Sequence, residues 1–472
     1  MKKCILVFFG ILFSLTVQQS YSQVDGGAFN STGSGFSVVS LNDYQCLGVN
    51  PANLGWQHSD DMESHLGMFE MGISIYSEPL TKKLVFTDLI GTGDDFSSEA
   101  QRNEAIKSFT DTELLIRLTN RLIGIAFQDK KVGGFAFTIR QHVFWHSTLN
   151  KQASEFMFDG YNAPYFDSIA IQQNGDTIGY CTNPEEASKI YNPTDISHLF
   201  YNEFVLGYGR NVVDKENFKF HAGIDFKLIH GYGVLNYNSI SITQVEGYQA
   251  LSPFYGVKYD EPTPSEIIGN DYKKAGRGFG IDIGLAFEVY KKTRIALALN
   301  EIGSINWNGN VYEGENVPIR LIETSGIDNY NIFSESGGII ADNTNLGKWE
   351  GLLNKRVSLP LHMRIGASHH PLEELTFGFE FLMPFNREIP GAYINPLYAA
   401  GVQYNPARWF QLSGGFSYGG GFGFNMPLGI TLRPINKGSM WELGFASRDL
   451  LSWFKQKDPM VSFVFGFLRF AY

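Results

Sequence analysis

The sequence has few cysteines, and after the N-terminus it has no apolar run long enough for a membrane-spanning helix. The cysteines are Cys4, Cys46 and Cys181, too few in 472 residues for a disulfide framework. Whether Cys46 and Cys181 pair is left open. No later segment offers about 18 uninterrupted apolar residues, which excludes a bundle of transmembrane helices. Basic residues are also the minority, 37 against 48 acidic ones, and a net charge of −11 argues against nucleic-acid binding.

The N-terminus has the three parts of a secretory signal. Two lysines precede an apolar run at residues 4–17, and the small-residue site Ser20-Tyr21-Ser22 follows. We therefore expect residues 1–22 to be a signal peptide that is removed on export. Because Cys4 lies inside the apolar run and not at the cleavage point, we expect no lipoprotein anchor.

Aromatic residues and glycine are abundant, and they alternate. The chain has 39 Phe, 23 Tyr and 51 Gly. In RGFGIDIGLAFEVY one face carries Phe, Ile, Ile, Leu, Phe and Val, and the other carries Gly, Gly, Asp, Gly, Ala and Glu. LTFGFEFLMPF repeats the pattern. A period of two over ten or so residues predicts strands with one apolar face.

Two all-β architectures fit such strands: a soluble secreted β-sandwich and a transmembrane antiparallel up-and-down β-barrel. The second face is rich in Gly, Ala and Ser, which suits a crowded enclosure. The Phe-rich first face is typical of a surface that meets lipid. These features favour the barrel. The predicted strands number fourteen, an even number as in single-chain bacterial barrels, at residues 66–76, 119–128, 132–146, 199–213, 218–234, 277–290, 293–303, 358–369, 374–385, 395–405, 408–418, 424–433, 439–447 and 460–472.

The remaining segments divide the chain further. The glycine-rich polar segment 23–62 is predicted to be an internal plug, and residues 63–472 to be the barrel. The segment SSEAQRNEAIKSF has helical composition and is predicted to cap or cross one mouth. Three long connections, at about 147–198, 241–276 and 304–357, are predicted to be irregular loops outside the membrane.

No motif supports an enzyme. GFSYG, residues 415–419, matches the nucleophile elbow G-x-S-x-G, but that chemistry needs Ser417 on a turn before a helix, and its flanks alternate as strands. His369 and His370 end a strand just before a proline, which predicts a solvated turn and no metal site. Asp94 and Asp95 are only a weak indication of calcium. We expect no cofactor and no metal.

Charged residues are scattered along the second face, which would point into a barrel. One hypothesis is a polar pathway for solutes. The hypothesis that we favour is a set of paired charges that fill the lumen. The residues are Arg140, Asp225, Lys227, Asp282, Glu288, Arg364 and Glu380.

The sequence ends in the strand VSFVFGFLRFAY. Counting in twos from Tyr472 places Phe470 and Leu468 on its face, and Arg469 and Phe467 on the other. An apolar row on a period of two with an aromatic last residue resembles the C-terminal signal of bacterial outer-membrane barrels. The resemblance implies that Leu468, Phe470 and Tyr472 are recognised by the barrel assembly machinery and that the barrel contacts outer-membrane lipid.

The segment LNDYQCLGVNPANLGW carries a second resemblance. Its triplet Asn50-Pro51-Ala52 resembles the N-terminal segment of the long-chain fatty-acid transporter (FadL) family and, equally, that of PorV-like barrels of Bacteroidota. In those families an NPA hairpin is part of a plug in the lumen. LNEIGSINW and RVSLPLHMRIGASHHP are also similar to stretches of uncharacterised Bacteroidota barrels. The inward charges of both signs depart from the largely hydrophobic path of FadL-type transporters.

Three functional hypotheses follow. The first is a FadL-like barrel of the Gram-negative outer membrane for passive transport of hydrophobic or amphipathic small molecules. The second is a PorV-like accessory that moves no solute and binds a secreted protein or secretion machinery. The third is a soluble secreted β-sandwich.

Overall fold

The computed structural model describes residues 28–56, 63–91, 93–173, 175–257, 262–269, 272–330, 348–436, 438–454 and 457–472. The predicted signal peptide, residues 1–22, lies outside the described residues, as do both ends of the predicted plug segment. In the part of the chain that is described, no helix has the length and apolar character needed to cross a membrane.

Fourteen antiparallel strands form one closed sheet, so the barrel prediction is confirmed and the sandwich is excluded. Each strand pairs with the next, and the last pairs with the first. The strands are β1 Ser64–Ser77, β2 Glu113–Asp129, β3 Gly133–Thr148, β4 Asp195–Lys215, β5 Phe218–Ser241, β6 Gly276–Val289, β7 Thr293–Trp307, β8 His362–Leu372, β9 Leu375–Pro384, β10 Leu397–Ala407, β11 Phe410–Gly419, β12 Leu428–Leu432, β13 Ser439–Ser447 and β14 Met460–Ala471.

The two ends of the barrel differ. At one end, here the turn end, every second pair of strands is joined by a short turn, such as residues 216–217 between β4 and β5. At the other end, here the loop end, the connections are longer, such as residues 149–194 between β3 and β4. This asymmetry is typical of outer-membrane barrels, whose short turns face the periplasm and whose long loops face outside.

In their described residues the long connections contain regular secondary structure, so the prediction that they are irregular is wrong. They contain helices, a small three-stranded sheet and strands that extend the wall. At the loop end, residues of these connections pack on the outward faces of the wall strands. The buried core that they form includes Trp145, Phe156, Tyr191 and Tyr237. We call this layer the collar. Its helices are Lys82–Leu84, Val85–Leu89, Glu99–Phe109, Lys151–Asp159, Gly160–Asn162, Ala187–Tyr191 and Pro253–Tyr255, and its strands are Ser168–Ile171, Thr177–Tyr180, Gln244–Leu251, Val311–Glu315, Leu321–Ile322, Lys348–Gly351 and Lys355–Ser358.

The predicted helix is present as Glu99–Phe109. Ser98 begins it by accepting a hydrogen bond from the Gln101 amide, as an N-cap residue does. Its buried residues Ala105, Ile106 and Phe109 belong to the collar core. The helix therefore packs into the collar on the outer side of the wall, and the prediction that it caps or crosses one mouth is wrong.

The last strand does not keep one alternation throughout. Phe467 and Leu468 are neighbours, yet both are exposed, at 52% and 43%. The pairing with β13 steps from Glu442–Arg469 to Gly444–Gly466, two residues on β13 against three on β14, which is a β-bulge. The bulge turns Phe467 outward together with Leu468, Phe470 and Tyr472, so the assignment of Phe467 and Arg469 to one face is wrong.

The C-terminus closes the barrel. The Tyr472 amide donates to the Ser64 carbonyl (2.9 Å), and the Glu63 and Ser64 amides donate to the Tyr472 carbonyl. These bonds satisfy backbone groups that would otherwise form a free sheet edge.

Deletion of Phe470–Tyr472 removes both this seam and the aromatic residue, whereas Tyr472→Ala removes only the aromatic ring. We expect the deletion to abolish accumulation of folded barrel and Tyr472→Ala to reduce it partially, because recognition and closure are separate steps. Tyr472→Phe serves as the control. The measurement is membrane abundance with heat-modifiable gel mobility, and wild-type levels of folded, truncated protein would contradict the seam.

Candidate functional site

Residues 28–56 lie inside the barrel and contact the wall around its circumference. None of these residues is exposed. The Ser37 and Val38 amides donate to Glu380 on β9, the Gly48 amide donates to Asp225 on β5 (3.1 Å), and Gln128 on β2 donates to the Leu54 carbonyl (3.1 Å). Within the segment, the helices are Phe29–Thr32, Asp43–Cys46 and Pro51–Gly55. We call residues 28–56 the lumen segment.

Glycines of the wall make room for the lumen segment. On thirteen of the fourteen strands, an inward glycine lies so close to the segment that a Cβ atom would come within 3.0 Å of it. On β7 the corresponding small residues are Ala296 and Ala298, which pack in one buried cluster with residues of the lumen segment. The small residues of the second face therefore accommodate the segment. The glycines are Gly67, Gly124, Gly134, Gly207, Gly223, Gly284, Gly366, Gly378, Gly401, Gly415, Gly429, Gly444 and Gly466.

The Asn50-Pro51-Ala52 triplet forms the turn that meets β5 and β6. The Asn50 side chain accepts from the Ala52 amide (3.1 Å) and donates to the Leu285 carbonyl of the wall (3.3 Å). Pro51 is the first residue of the helix Pro51–Gly55, where its missing N–H is not needed. Ala52 is fully buried, with its amide 2.4 Å from the Cβ position of Gly223.

Six of the seven predicted inward charges are buried, each 2% exposed or less: Arg140, Asp225, Lys227, Asp282, Arg364 and Glu380. Glu288 is half-buried near the turn end, 3.4 Å from Arg294. The charges lie in opposite-charge groups. Arg364 and Glu380 are 2.8 Å apart, and the Lys227 ammonium lies 2.9 Å from Asp282 and also contacts Glu301. Arg140 pairs with Glu203 and donates to the Leu47 carbonyl of the lumen segment (3.0 Å).

A further buried charge group was missed from the sequence. Arg469 pairs with Asp43 of the lumen segment and with Glu442, and Arg121 pairs with Glu70. The Tyr44 hydroxyl also donates to Glu70, at 2.6 Å.

β-Bulges explain why this group was missed. The pairing register shifts at residues 121–123 and at residues 442–444, and β1 skips Phe69, which has a φ of 53°. A strict period of two cannot carry across such positions. Glu301, with a φ of 65°, lies at a similar shift in β7. Glu203 was missed for no such reason, since it alternates regularly with Val205 and Gly207.

Towards the loop end the inward side chains become apolar. On β3, Phe144 follows Arg140 on the same face; on β4, Tyr201 precedes Glu203; and on β5, Ile229 follows Lys227. These residues pack in one buried core, which we call the outer apolar layer: Tyr76, Leu115, Phe144, Leu199, Tyr201, Ile229, Ile305, Trp307, Val357 and Leu359.

The connection at residues 385–396 folds over this layer. The Arg117 guanidinium, from β2, donates to the Gly391 carbonyl (2.9 Å) and to the Ala392 carbonyl. It lies 4.7 Å from the Phe144 ring centre and 4.9 Å from that of Tyr393. The Tyr393 hydroxyl in turn accepts from Arg364 (3.2 Å).

The remaining candidate residues are part of the wall, the lumen segment or the collar. Cys46 and Cys181 are both buried and free, the first in the lumen segment and the second in the collar. His369 and His370 contact threonine hydroxyls of Thr293 and Thr376. Ser417 lies within β11. Among the residues that the structure describes, no group of three or more His, Cys, Asp or Glu side chains could hold a metal ion.

A side chain added at Gly223 should displace the lumen segment. Gly223→Val places a methyl-bearing carbon 2.3 Å from Pro51, and overpacking of this kind costs ~1–3 kcal/mol, roughly a 5- to 150-fold increase in the displaced population. We expect Cys46 to react faster with a maleimide, measured by peptide mass spectrometry. Gly414→Val is the matched control, because its Cβ position is 3.8 Å from the nearest atom. Equal Cys46 labelling in both variants would contradict the close contact.

Removal of Arg364 should destabilise the barrel strongly. Arg364→Met leaves Glu380 buried without its charge partner, and breaking a buried pair costs about 3–5 kcal/mol. Arg364→Met with Glu380→Gln should recover part of the loss. The control is Lys348→Met, whose partner Glu315 is 3.0 Å away in a half-exposed pair and whose loss should cost about 0–1 kcal/mol. Denaturant unfolding in detergent micelles measures all three, and similar losses for Arg364→Met and Lys348→Met would contradict the buried pair.

Comparisons with known proteins give a family but no activity. No curated protein matches the sequence. The structure is similar to that of the Pseudomonas putida toluene transporter TodX, with a TM-score of 0.44 and 11% identity over 96% of this chain and 99% of that chain. It is also similar to a Pseudomonas aeruginosa FadL homologue, with a TM-score of 0.42 and 12% identity over 96% and 99%. A family model described as "Family of unknown function (DUF5723)" matches residues 57–437, well over half of the sequence, and the chain therefore belongs to that family.

Proposed function

We propose that the protein is an outer-membrane channel for passive passage of hydrophobic or amphipathic small molecules, with residues 23–62 as its plug. The observation that carries the proposal is the outer apolar layer. Its aromatic and aliphatic side chains face inward at the loop end, whereas the lumen nearer the turn end holds charged groups and the lumen segment. An apolar solute that passes the connection at residues 385–396 from the loop end would meet side chains that it can bind by burial.

The outer wall supports a place in the membrane. Large apolar side chains point outward and are exposed on strands across the sheet, such as Leu206 (58%), Phe226 (55%), Phe279 (59%), Phe377 (51%) and Phe416 (54%). Exposure of so many aromatic residues to water would be costly, whereas lipid accommodates them. Export by the predicted signal peptide and recognition of Leu468, Phe470 and Tyr472 by the barrel assembly machinery complete this proposal.

Passage requires the lumen segment to move. It fills the barrel at the level of the glycines and is held by hydrogen bonds to Glu380, Asp225, Arg140 and Gln128. These bonds lie on separate strands, so a partial displacement breaks some and leaves others. The wall does not depend on them, because its own backbone ladder is closed. In this proposal the segment is the moving part and the wall is the fixed one.

Two features of the structure are also compatible with the scaffold hypothesis. The lumen segment is tightly packed, and the collar presents a folded outer surface suited to holding a protein partner. In that hypothesis the segment never moves, and a secreted protein or secretion machinery binds outside. The two hypotheses differ in what displacement of the segment would change.

Ala52→Trp tests the plug and separates the hypotheses. Ala52 is fully buried, so tryptophan overpacks the site by ~1–3 kcal/mol and should displace the segment while the wall stays folded. For a transporter we expect altered uptake of a hydrophobic solute or increased sensitivity to small antibiotics. For a scaffold we expect only loss of partner pull-down.

The matched control is Ala170→Trp, an exposed alanine on the collar strand Ser168–Ile171. Both variants are compared with wild type at equal membrane abundance. If Ala52→Trp matches wild type in uptake, antibiotic sensitivity and pull-down, residues 23–62 are not a plug, and the NPA triplet is an ordinary turn.

A further inference from the structure

We propose that the outward face of β5–β7 at the loop end binds the phosphate of an anionic lipid headgroup. The residues that would hold it are Arg277, Arg356 and Lys274. Strand pairing brings two of them together: His230 on β5 pairs with Arg277 on β6, Arg277 pairs with Asn306 on β7, and Asn306 pairs with Arg356. Neighbouring strands are about 4.8 Å apart, so Arg277 and Arg356 are separated by roughly 10 Å along this row. Lys274 lies three residues before Arg277, in the connection that leads into β6.

The row faces outward. Arg277 is exposed, and Gly276 and Gly278 on either side of it are buried. Arg356 is likewise exposed beside the buried Val357. Neither arginine can therefore reach the charge groups of the lumen, since successive side chains of a strand point to opposite faces.

The row also lies between two kinds of outward surface, an apolar band and an aromatic group. On its turn-end side are Leu228 and Phe279, which are 56% and 59% exposed and belong to the apolar band. On its loop-end side an aromatic group begins, in which Tyr232 and Tyr272 have ring centres 5.4 Å apart and Phe254 and Tyr272 have ring centres 5.6 Å apart. Aromatic rings beside basic residues are typical of the membrane–water interface.

In the part of the chain that the structure describes, the cations of the row lack the carboxylate partners that the lumen cations have. Inside, Arg121, Arg140 and Arg364 each pair with a glutamate. Among the described residues, no carboxylate forms an ion pair with Lys274, Arg277 or Arg356, and Arg356 donates to the Ser304 hydroxyl (2.9 Å). An anion supplied from outside the chain would neutralise them.

A phosphate-bearing lipid fits this arrangement better than a free anion. Guanidinium groups bind phosphate oxygens with paired N–H donors. The apolar band directly beside the row offers a surface for the acyl chains of the same molecule. The headgroup and the chains are then bound together, which a soluble phosphate cannot match.

The test uses the full-length protein in non-ionic detergent, titrated with phosphatidylglycerol or phosphatidylcholine and monitored by native mass spectrometry. We expect wild type to prefer phosphatidylglycerol. Arg277→Gln with Arg356→Gln should weaken phosphatidylglycerol binding about tenfold, because each charge near a lipid headgroup contributes to attraction. Arg277→Lys with Arg356→Lys should retain the preference.

The matched control is Arg210→Gln, an exposed outward arginine of β4 near the turn end, which should bind phosphatidylglycerol like wild type. Heat-modifiable mobility shows that each variant is folded. Three results would overturn the proposal: equal affinity of wild type for the two lipids, an equal loss in Arg210→Gln, or displacement of phosphatidylglycerol by excess inorganic phosphate, which would indicate a free-anion site.

Discussion

Hydrogen bonds between the backbone of the lumen segment and polar side chains of the wall are the interaction on which the filled interior of the barrel depends. Residues 28–56 contain only short helices, so many of their amide and carbonyl groups have no partner within the segment. The wall supplies partners at Glu380, Asp225, Arg140 and Gln128. Charged side chains can do this only if their own charge is balanced, and Arg364 beside Glu380 and Glu203 beside Arg140 balance it. The glycines then allow the backbone to approach closely enough for these bonds to form.

The position of the strands could be predicted from the sequence because each wall strand faces two different environments. Phe377 and Phe379 alternate with Gly378 and Glu380, and such an alternation of apolar with small or charged residues can be recognised in one sequence. The inward direction of Arg140, Lys227 and Arg364 follows from the same pattern. Their partners were harder to predict. Glu70 and Arg469 lie next to bulges, and a bulge depends on the pairing of two strands distant in sequence, which a local pattern does not contain.

The collar could not be predicted for a different reason. Its segments mix short helices, hairpins and wall extensions, none of which is long enough to show a clear period. Phe156 and Tyr191 pack in one core with Trp145 and Tyr237, which the wall strands present at the loop end. The polar and glycine-rich composition of these segments is that of the side that faces water. Folded connections of this kind give the loop end a fixed shape, which both functional hypotheses can use.

The contact between Arg117 and the connection at residues 385–396 has a mechanical consequence. Arg117 is on β2, and that connection joins β9 to β10. In a ring of fourteen strands these two elements lie on opposite sides of the barrel. Arg117 and the connection together therefore link opposite sides of the barrel. This link resists flattening of the circular cross-section into an ellipse along that direction at the loop end. At the loop end this contact therefore adds stiffness along one diameter, in addition to the support that the lumen segment gives around the whole wall.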